Sequence, residues 1–351
     1  MKTGIQISTG TAGNLGFLGG ESVDLVVTSP PYPMIEMWDA VFAAQDPTIA
    51  EALAGGKGAC AFERMHLLLD QVWAELFRVL KPGGLACINI GDATRTLQGE
   101  FQLWSNHARI LAALTRLGFA TLPDILWRKP TNAPNKFMGS GMLPAGAYVT
   151  YEHEYILIAR KGSRRVFASA AEKERRRESA YFWEERNLWF SDLWSDLKGV
   201  AQELEADEAR QRSAAFPFEL AHRLICMFSL RGDVVLDPFV GIGTTLMAAA
   251  ATGRNAVGVD LDPACCQVAR RGLDTVMDLA NRVNRIRLQR HLEFVEGRIQ
   301  AGKPLKHTNR PHGFPVVTAQ ETALWLDELL GIAQLDETRF ELEYAGRPLC
   351  L

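Results

Sequence analysis

Residues 233–262, DVVLDPFVGIGTTLMAAAATGRNAVGVDLD, restrict the possible folds of this chain more than any other stretch. They read as a buried strand ending at Asp237, a turn holding Gly241 and Gly243, a helix opening at Thr244 and a second strand ending at Asp260. A strand that turns through glycines into a helix is the opening of a βαβ unit, and it commits the chain to a parallel α/β sheet with a ligand at the strands' carboxyl ends. The glycines let the backbone approach that ligand. Asp260, 17 residues after Gly243, stands where a carboxylate accepts hydrogen bonds from ribose hydroxyls. The spacing describes a nucleoside crevice, with an ordinary strand-to-helix turn as the bland alternative. It is not a dinucleotide fingerprint: Leu246 occupies the third glycine position of G-x-G-x-x-G, and Asp237-Pro238-Phe239 is foreign to that motif.

The rest of the chain follows the α/β rhythm. IQIS (5–8), VDLVVT (23–28) and LACINIGD (85–92) are strand-like, while MHLLLDQVWAELFRVL (65–80) and SNHARILAALTRLGF (105–119) have helical spacing, ended by KPGG and by Gly118. TLPDILWRK and YEHEYILIARKG (151–162) predict a strand pair, joined by the Gly/Pro-rich PTNAPNKFMGSGMLPAG, a long connection of the kind that usually carries function. The rhythm fails between about 163 and 212 and returns in FPFELAHRLICMFS; a helical pattern then runs from Pro263 to about 301, and the last fifty residues form no obvious unit. The expected divisions are 1–162, 163–212, 213–275 and a mostly helical extension over 276–351. A chain of 351 residues, 47% hydrophobic, suffices for one large domain with a small addition. The six cysteines make no Cys-x-x-Cys pair, MKTGIQISTG lacks the apolar core of a signal peptide and no apolar run approaches the roughly 20 residues of a membrane span. A reduced, cytoplasmic setting is expected. His153 and His222 have no companions at metal-ligand spacing, so no metal is expected, and GGKG (55–58) lacks P-loop spacing.

Directly after the second strand stands TSPPYPM, whose paired prolines remove backbone donors and forbid further ladder pairing. Together, TSPPY and the downstream DPFVGIGTT resemble the DNA amino-methyltransferases that use S-adenosylmethionine, in the permuted β group where the target-base motif precedes the cofactor motif. The resemblance extends through GTAGNLGFLGGESVDLVVTSPPY, LKPGGLACINIGD, ILWRKP, EHEYILIARKG and AAFPFELAHRLI, covering most of residues 1–275. One departure is Gln211-Arg212-Ser213, where the family often has a histidine before FPFEL.

The resemblance implies an α/β, Rossmann-like, S-adenosylmethionine-dependent methyltransferase fold with a circularly permuted, mixed seven-stranded sheet and small helical or irregular additions. The carboxyl ends of the IQIS, VDLVV, DVVLD and NAVGVD strands should meet at one crevice. It assigns the cofactor to Asp237, Pro238, Phe239, Gly241, Gly243, Thr244, Thr245 and Asp260, with Phe216 and Pro217 nearby. Asp92 either borders the cofactor or caps the following segment, and Trp38 covers the methionine part of the cofactor, lines the base pocket or packs in the core. Ser29, Pro30, Pro31 and Tyr32 form the implied catalytic motif. An exocyclic amino group is a poor nucleophile because its lone pair is delocalised into the ring, so acceptors must draw its hydrogens; Ser29 and a prolyl carbonyl suit that task. Tyr32 can stack on a base swung out of the duplex. Serine in the first motif position leans toward cytosine N4 over adenine N6, and the lack of a Pro-Cys dipeptide argues against carbon-5 chemistry. A DNA-binding protein that keeps the fold without turnover is the remaining alternative.

Double-stranded DNA, the implied partner, requires cations. The net charge is −3, yet residues 160–186 hold nine Lys/Arg against five Asp/Glu, and 270–310 hold ten against four. The resemblance places target recognition at 163–212. There Arg175, Arg176 and Arg177 of KERRRE lie either on DNA or on a solvated helix face, while Lys129 and Asn132 are placed to touch the flipped nucleotide or its phosphate. A cognate restriction endonuclease as functional partner, in a bacterial, archaeal or phage setting, completes the implication.

Overall fold

The computed structural model describes residues 1–129, 138–139, 142–197 and 216–349; Asn132, Gln211-Arg212-Ser213 and the end of the expected recognition region lie outside them. The first half runs β1 (Lys2–Thr9), β2 (Val23–Thr28), α1 (Asp39–Gln45), α2 (Thr48–Ala54), α3 (Gly58–Val79), β3 (Leu80–Ile90), the hairpin β4 (Ala93–Leu97) and β5 (Glu100–Trp104), and α4 (Asn106–Leu117). It continues with β6 (Phe119–Thr121), β7 (Ile125–Arg128), the short pair β8 (Met138–Gly139) and β9 (Ala147–Tyr148), and β10 (His153–Lys161). Next come α5 (Ala170–Glu178), α6 (Trp183–Trp189), β11 (Leu193–Trp194), α7 (Phe218–Phe228), β12 (Val234–Asp237), α8 (Thr244–Ala251), β13 (Asn255–Asp260), α9 (Pro263–Gly272) and α10 (Val276–Gln300). The small pair β14 (His307–Thr308) and β15 (Pro315–Val316) precedes β16 (Leu329–Gln334) and β17 (Arg339–Tyr344).

Among the described residues the main sheet has eleven strands in the order β11-β7-β10-β3-β2-β12-β13-β1-β17-β16, with β6 also on β10. Strands β3, β2, β12, β13 and β1 are mutually parallel, whereas β10 and β17 run antiparallel to β3 and β1. Five carboxyl ends therefore face one edge. Every residue of β2 is buried, as in a central parallel strand covered on both faces. Helix α8 is buried almost all round, and its alanines, 248 to 251, let α7 and α10 pack closely. Gly118, at φ +96°, ends α4 where the sequence placed the stop. No helix among the described residues is long and apolar enough to cross a membrane.

Two expectations are corrected. The sheet exceeds seven strands because β16 and β17 cover the free edge of β1, and the short β6 and β11 widen the other side. Beyond 276 the α-helix ends at Gln300; the rest supplies two strand pairs and a 3₁₀ turn at Ala319–Glu321. In β17 only alternate residues face the core, and a six-residue strand with that pattern gives a weak periodic signal.

The opposite, amino-terminal edge is closed by charge. Asp24 accepts from Lys81 Nζ (2.7 Å) and from the Val234 amide (2.9 Å), and Arg165 donates to Asp233 at 2.6 and 3.1 Å. Arg175 of α5 joins that cluster, with Nη2 3.4 Å from Asp233 Oδ1.

Candidate active site

A cavity of about 650 Å³ opens at the carboxyl edge. Its floor is built from the residues that follow the parallel strands: Thr11–Gly13, Ser29–Tyr32, Asp237–Ile242 and Asp260–Pro263. Trp38, Val41 and Phe42 around α1 and Leu68, Leu69 and Val72 of α3 form an apolar wall, and Phe216 closes another side. Trp38 thus lines the cavity while also packing on the core.

Within the glycine loop the two halves have different tasks. Asp237 is buried, and its carboxylate is engaged by the protein: Thr28 Oγ1 (2.6 Å) and the Phe239 amide (3.1 Å) donate to Oδ1, and Thr245 Oγ1 (2.6 Å) donates to Oδ2. Burial pushes this carboxyl up to about 6, against the pull of those donors. Asp237, at the edge of the cavity floor, and Thr245, behind it, therefore shape the loop, while Pro238, Phe239 and Thr244 line the cavity beside them. Asp260 accepts the Gly241 amide at 2.9 Å and the Asp262 amide at 3.0 Å, and burial raises its carboxyl. An ionised carboxylate has about four acceptor positions, so capacity remains for ligand hydroxyls.

Gly241, at φ +51°, borders open space: a Cβ there would meet nothing nearer than Phe239 O at 4.0 Å, leaving a bare stretch of cavity wall. Gly243, at φ +89°, is not in that wall. Its missing Cβ would lie 3.0 Å from Ala269 Cβ, so its smallness serves the packing of α9 against the start of α8. Asp92 is also outside the wall; it accepts the His107 amide (3.0 Å) in the first turn of α4 and contacts His107 Nδ1 (2.8 Å). Pro217 sits at the N-terminal cap of α7, outside the wall, next to Phe216, which lines it.

The TSPPY loop is held from behind. Tyr32 lines the cavity but is only 7% exposed, and its hydroxyl contacts Ser29 Oγ (3.1 Å), Glu154 Oε2 (2.9 Å) and Asn89 Nδ2 (2.8 Å). Burial, followed by the charge of Glu154, raises the phenol well above its usual value, so it stays protonated. Asn106 Nδ2 donates to Pro33 O (3.0 Å) and Gly91 O (2.9 Å), and Asn106 Oδ1 contacts His66 Nε2 (3.0 Å). Burial pushes His66 down to about 4, keeping it neutral. Sequence reasoning missed Asn89, Glu154 and Asn106. A signal existed for the first, because Asn89 is the one polar residue of the apolar run INI, and a buried polar group needs partners.

The expected DNA contacts separate. Lys129 stands beside the motif, with Nζ 2.6 Å from Glu154 Oε1. Arg175–Arg177 do not: α5 is bolted to Asp233, at the other end of β12 from Asp237. Arg176 lies over the Phe167 ring (4.7 Å), and Arg177 pairs with Glu174 (3.2 Å). In the second basic segment, Arg287 is internal, bonded to Glu185 at 2.7 and 2.8 Å.

One cavity thus joins a nucleoside cradle to a pocket of acceptors with a clamped aromatic ring. That pairing suits methyl transfer from S-adenosylmethionine to an amino group on a planar ring, and it places the molecule among the S-adenosylmethionine-dependent methyltransferases. The profile of the N6/N4 family described as DNA methylase matches residues 23–271. Type II methyltransferase M.MthZI of Methanothermobacter thermautotrophicus is 46% identical over 345 residues, covering 98% of this chain and 96% of that protein. Type II methyltransferase M.MjaI of Methanocaldococcus jannaschii is 46% identical over 75% of this chain and 88% of its own length. Among solved structures, a DNA modification methylase of Thermus thermophilus, complexed with S-adenosyl-L-methionine, superposes with a TM-score of 0.60 at 35% identity, covering 77% of this chain and 95% of that one. PvuII DNA methyltransferase (cytosine-N4-specific) shares the fold, with a TM-score of 0.53 at 17% identity over 80% and 93% of the two chains. The chain belongs to the N6/N4 DNA methylase family and is an S-adenosylmethionine-dependent DNA methyltransferase.

Proposed function

We propose that this enzyme methylates the exocyclic N4 amino group of cytosine at a defined sequence in double-stranded DNA, within a restriction-modification setting. The acceptor assignment rests on Ser29, a neutral hydroxyl at the first motif position and in the cavity wall. The relatives named as Type II methyltransferases support the setting.

The target base must leave the helical stack to reach such a cavity. Tyr32, with its hydroxyl fixed, offers a ring for stacking that needs no reordering when the base arrives. Ser29 Oγ and the Pro30 carbonyl accept the two amino hydrogens, drawing nitrogen toward sp³ geometry and freeing its lone pair. Pro30 and Pro31 contribute no N–H that would compete for those acceptors. The apolar wall around α1 and α3 excludes water, which strengthens every polar contact made inside. Gly241, Asp260 and Phe239 would hold S-adenosylmethionine, which supplies an activated methyl group when bound.

The test is mass spectrometry of nucleosides from DNA treated with enzyme and labelled cofactor, expected to place label in N4-methylcytosine. Ser29→Ala should keep cofactor affinity and lower single-turnover methylation on the order of 10²-fold, the typical effect of deleting one preorganised polar contact. Label in N6-methyladenine would reassign the base and spare the mechanism. Label in 5-methylcytosine would overturn both, and cofactor binding without any label would mark a silent DNA-binding protein.

A further inference from the structure

A serine hydroxyl is an ambiguous acceptor. If its proton turned into the pocket, it would repel the amino hydrogens it should attract. The hydrogen-bond chain behind Ser29 removes that ambiguity. An ionised carboxylate can only accept, so Tyr32 must donate to Glu154 Oε2 across 2.9 Å. The lone pairs on the Tyr32 oxygen are then filled by Asn89 Nδ2 at 2.8 Å and by the Ser29 hydroxyl at 3.1 Å. The single proton of Ser29 is thereby committed away from the substrate, leaving lone-pair density on its oxygen. Asn89 Nδ2 also donates to Glu154 Oε2 at 2.6 Å, which fixes the orientation of the Asn89 amide, and Lys129 Nζ balances the carboxylate at Oε1 (2.6 Å).

We infer that Glu154, Asn89 and Lys129 are positioning residues that act through the Tyr32 hydroxyl to hold Ser29 as an obligate hydrogen-bond acceptor for the substrate's amino group. This rests on the reading of Ser29 given above. Tyr32 consequently has two separable parts, a ring that stacks on the base and a hydroxyl that sets the direction of a neighbouring proton.

The first arm of the test needs no substrate. In protein labelled with ¹³C at tyrosine Cζ, the Tyr32 resonance, identified by its loss in Tyr32→Phe, should shift in both Ser29→Ala and Glu154→Leu. An unmoved resonance in Ser29→Ala overturns the chain, and that variant leaves the buried groups in place if Glu154→Leu fails to fold. The second arm is a double-mutant cycle on single-turnover methylation. Tyr32→Phe should slow transfer about 10-fold with DNA affinity unchanged, since the ring remains, and should add less than about 2-fold in the Ser29→Ala background. A full 10-fold effect in both backgrounds would show that the hydroxyl does not act through Ser29. Wild-type enzyme that methylates no DNA would remove the proposed function, and the resonance arm would still decide the chain.

Discussion

Gly241 and Gly243 stand two positions apart, share positive φ and look equivalent in sequence, yet they face different neighbours. A side chain at 241 enters the cavity; one at 243 enters Ala269 of α9. Gly241→Leu should therefore weaken S-adenosylmethionine binding by at least about 10-fold, with a loss of stability limited to roughly 1–2 kcal/mol of left-handed backbone strain. Gly243→Ala should lower the melting temperature through both strain and the 3.0 Å approach, while affinity in the folded protein changes less. Calorimetric titration beside thermal melting separates the two, and the reverse pattern would exchange their roles. The motif announces both glycines because only glycine tolerates such backbone freely. It cannot say which one meets a ligand, since that depends on where a helix more than twenty residues downstream comes to rest. The same limit applies to Asp92 and Asp237: a carboxylate at a strand end is visible in sequence, but the donors that occupy it come from other elements.

Three elements meet at Asp237: Thr28 ends β2, Asp237 ends β12 and Thr245 lies in the first turn of α8. The clamp has a pH signature. The folded carboxyl holds its proton up to about 6, whereas an unfolded one releases it near 3.9, so the native state binds the extra proton between those values. Its stabilising contribution is full below about pH 4 and is lost as pH rises through 6. Against Asp237→Asn, which stays neutral throughout, wild-type unfolding free energy from urea titrations should decline between pH 4 and 6.5 and then run level. A difference that grows with pH would mean the ionised form is favoured in place. At this scale the sequence was most informative where strands are buried on both faces and helices are strongly amphipathic, as in β2, α3 and α4. It was least informative for β4–β5 and β16–β17, short pairs with polar alternate residues that acquire order only from the surface they cover.

Across the whole molecule, the meeting of strand ends at one crevice followed from the order of motifs along the chain, but the distribution of charge did not. The arginines of α5 lie at the amino edge, and Asp233 and Asp237 are separated by four residues of strand, roughly 13 Å at about 3.3 Å per residue. Arg175→Glu places like charge beside the buried Asp233. It should cost on the order of 2 kcal/mol of stability and leave the salt dependence of DNA binding unchanged. A slope reduced by about 0.9 for each phosphate no longer neutralised would instead return α5 to the DNA surface. The pairing of Lys2–Thr9 has a further effect, on the timing of assembly. Its parallel partner begins at Asn255 and its antiparallel partner ends at Tyr344. A ribosome working at about 5–20 residues per second needs roughly 12–50 s after making β1 to deliver the first of them. Through that interval the nascent chain carries Ile5 and Ile7, both fully covered in the finished enzyme, on a segment without its sheet partners, the kind of unpaired edge on which other polypeptides can pair.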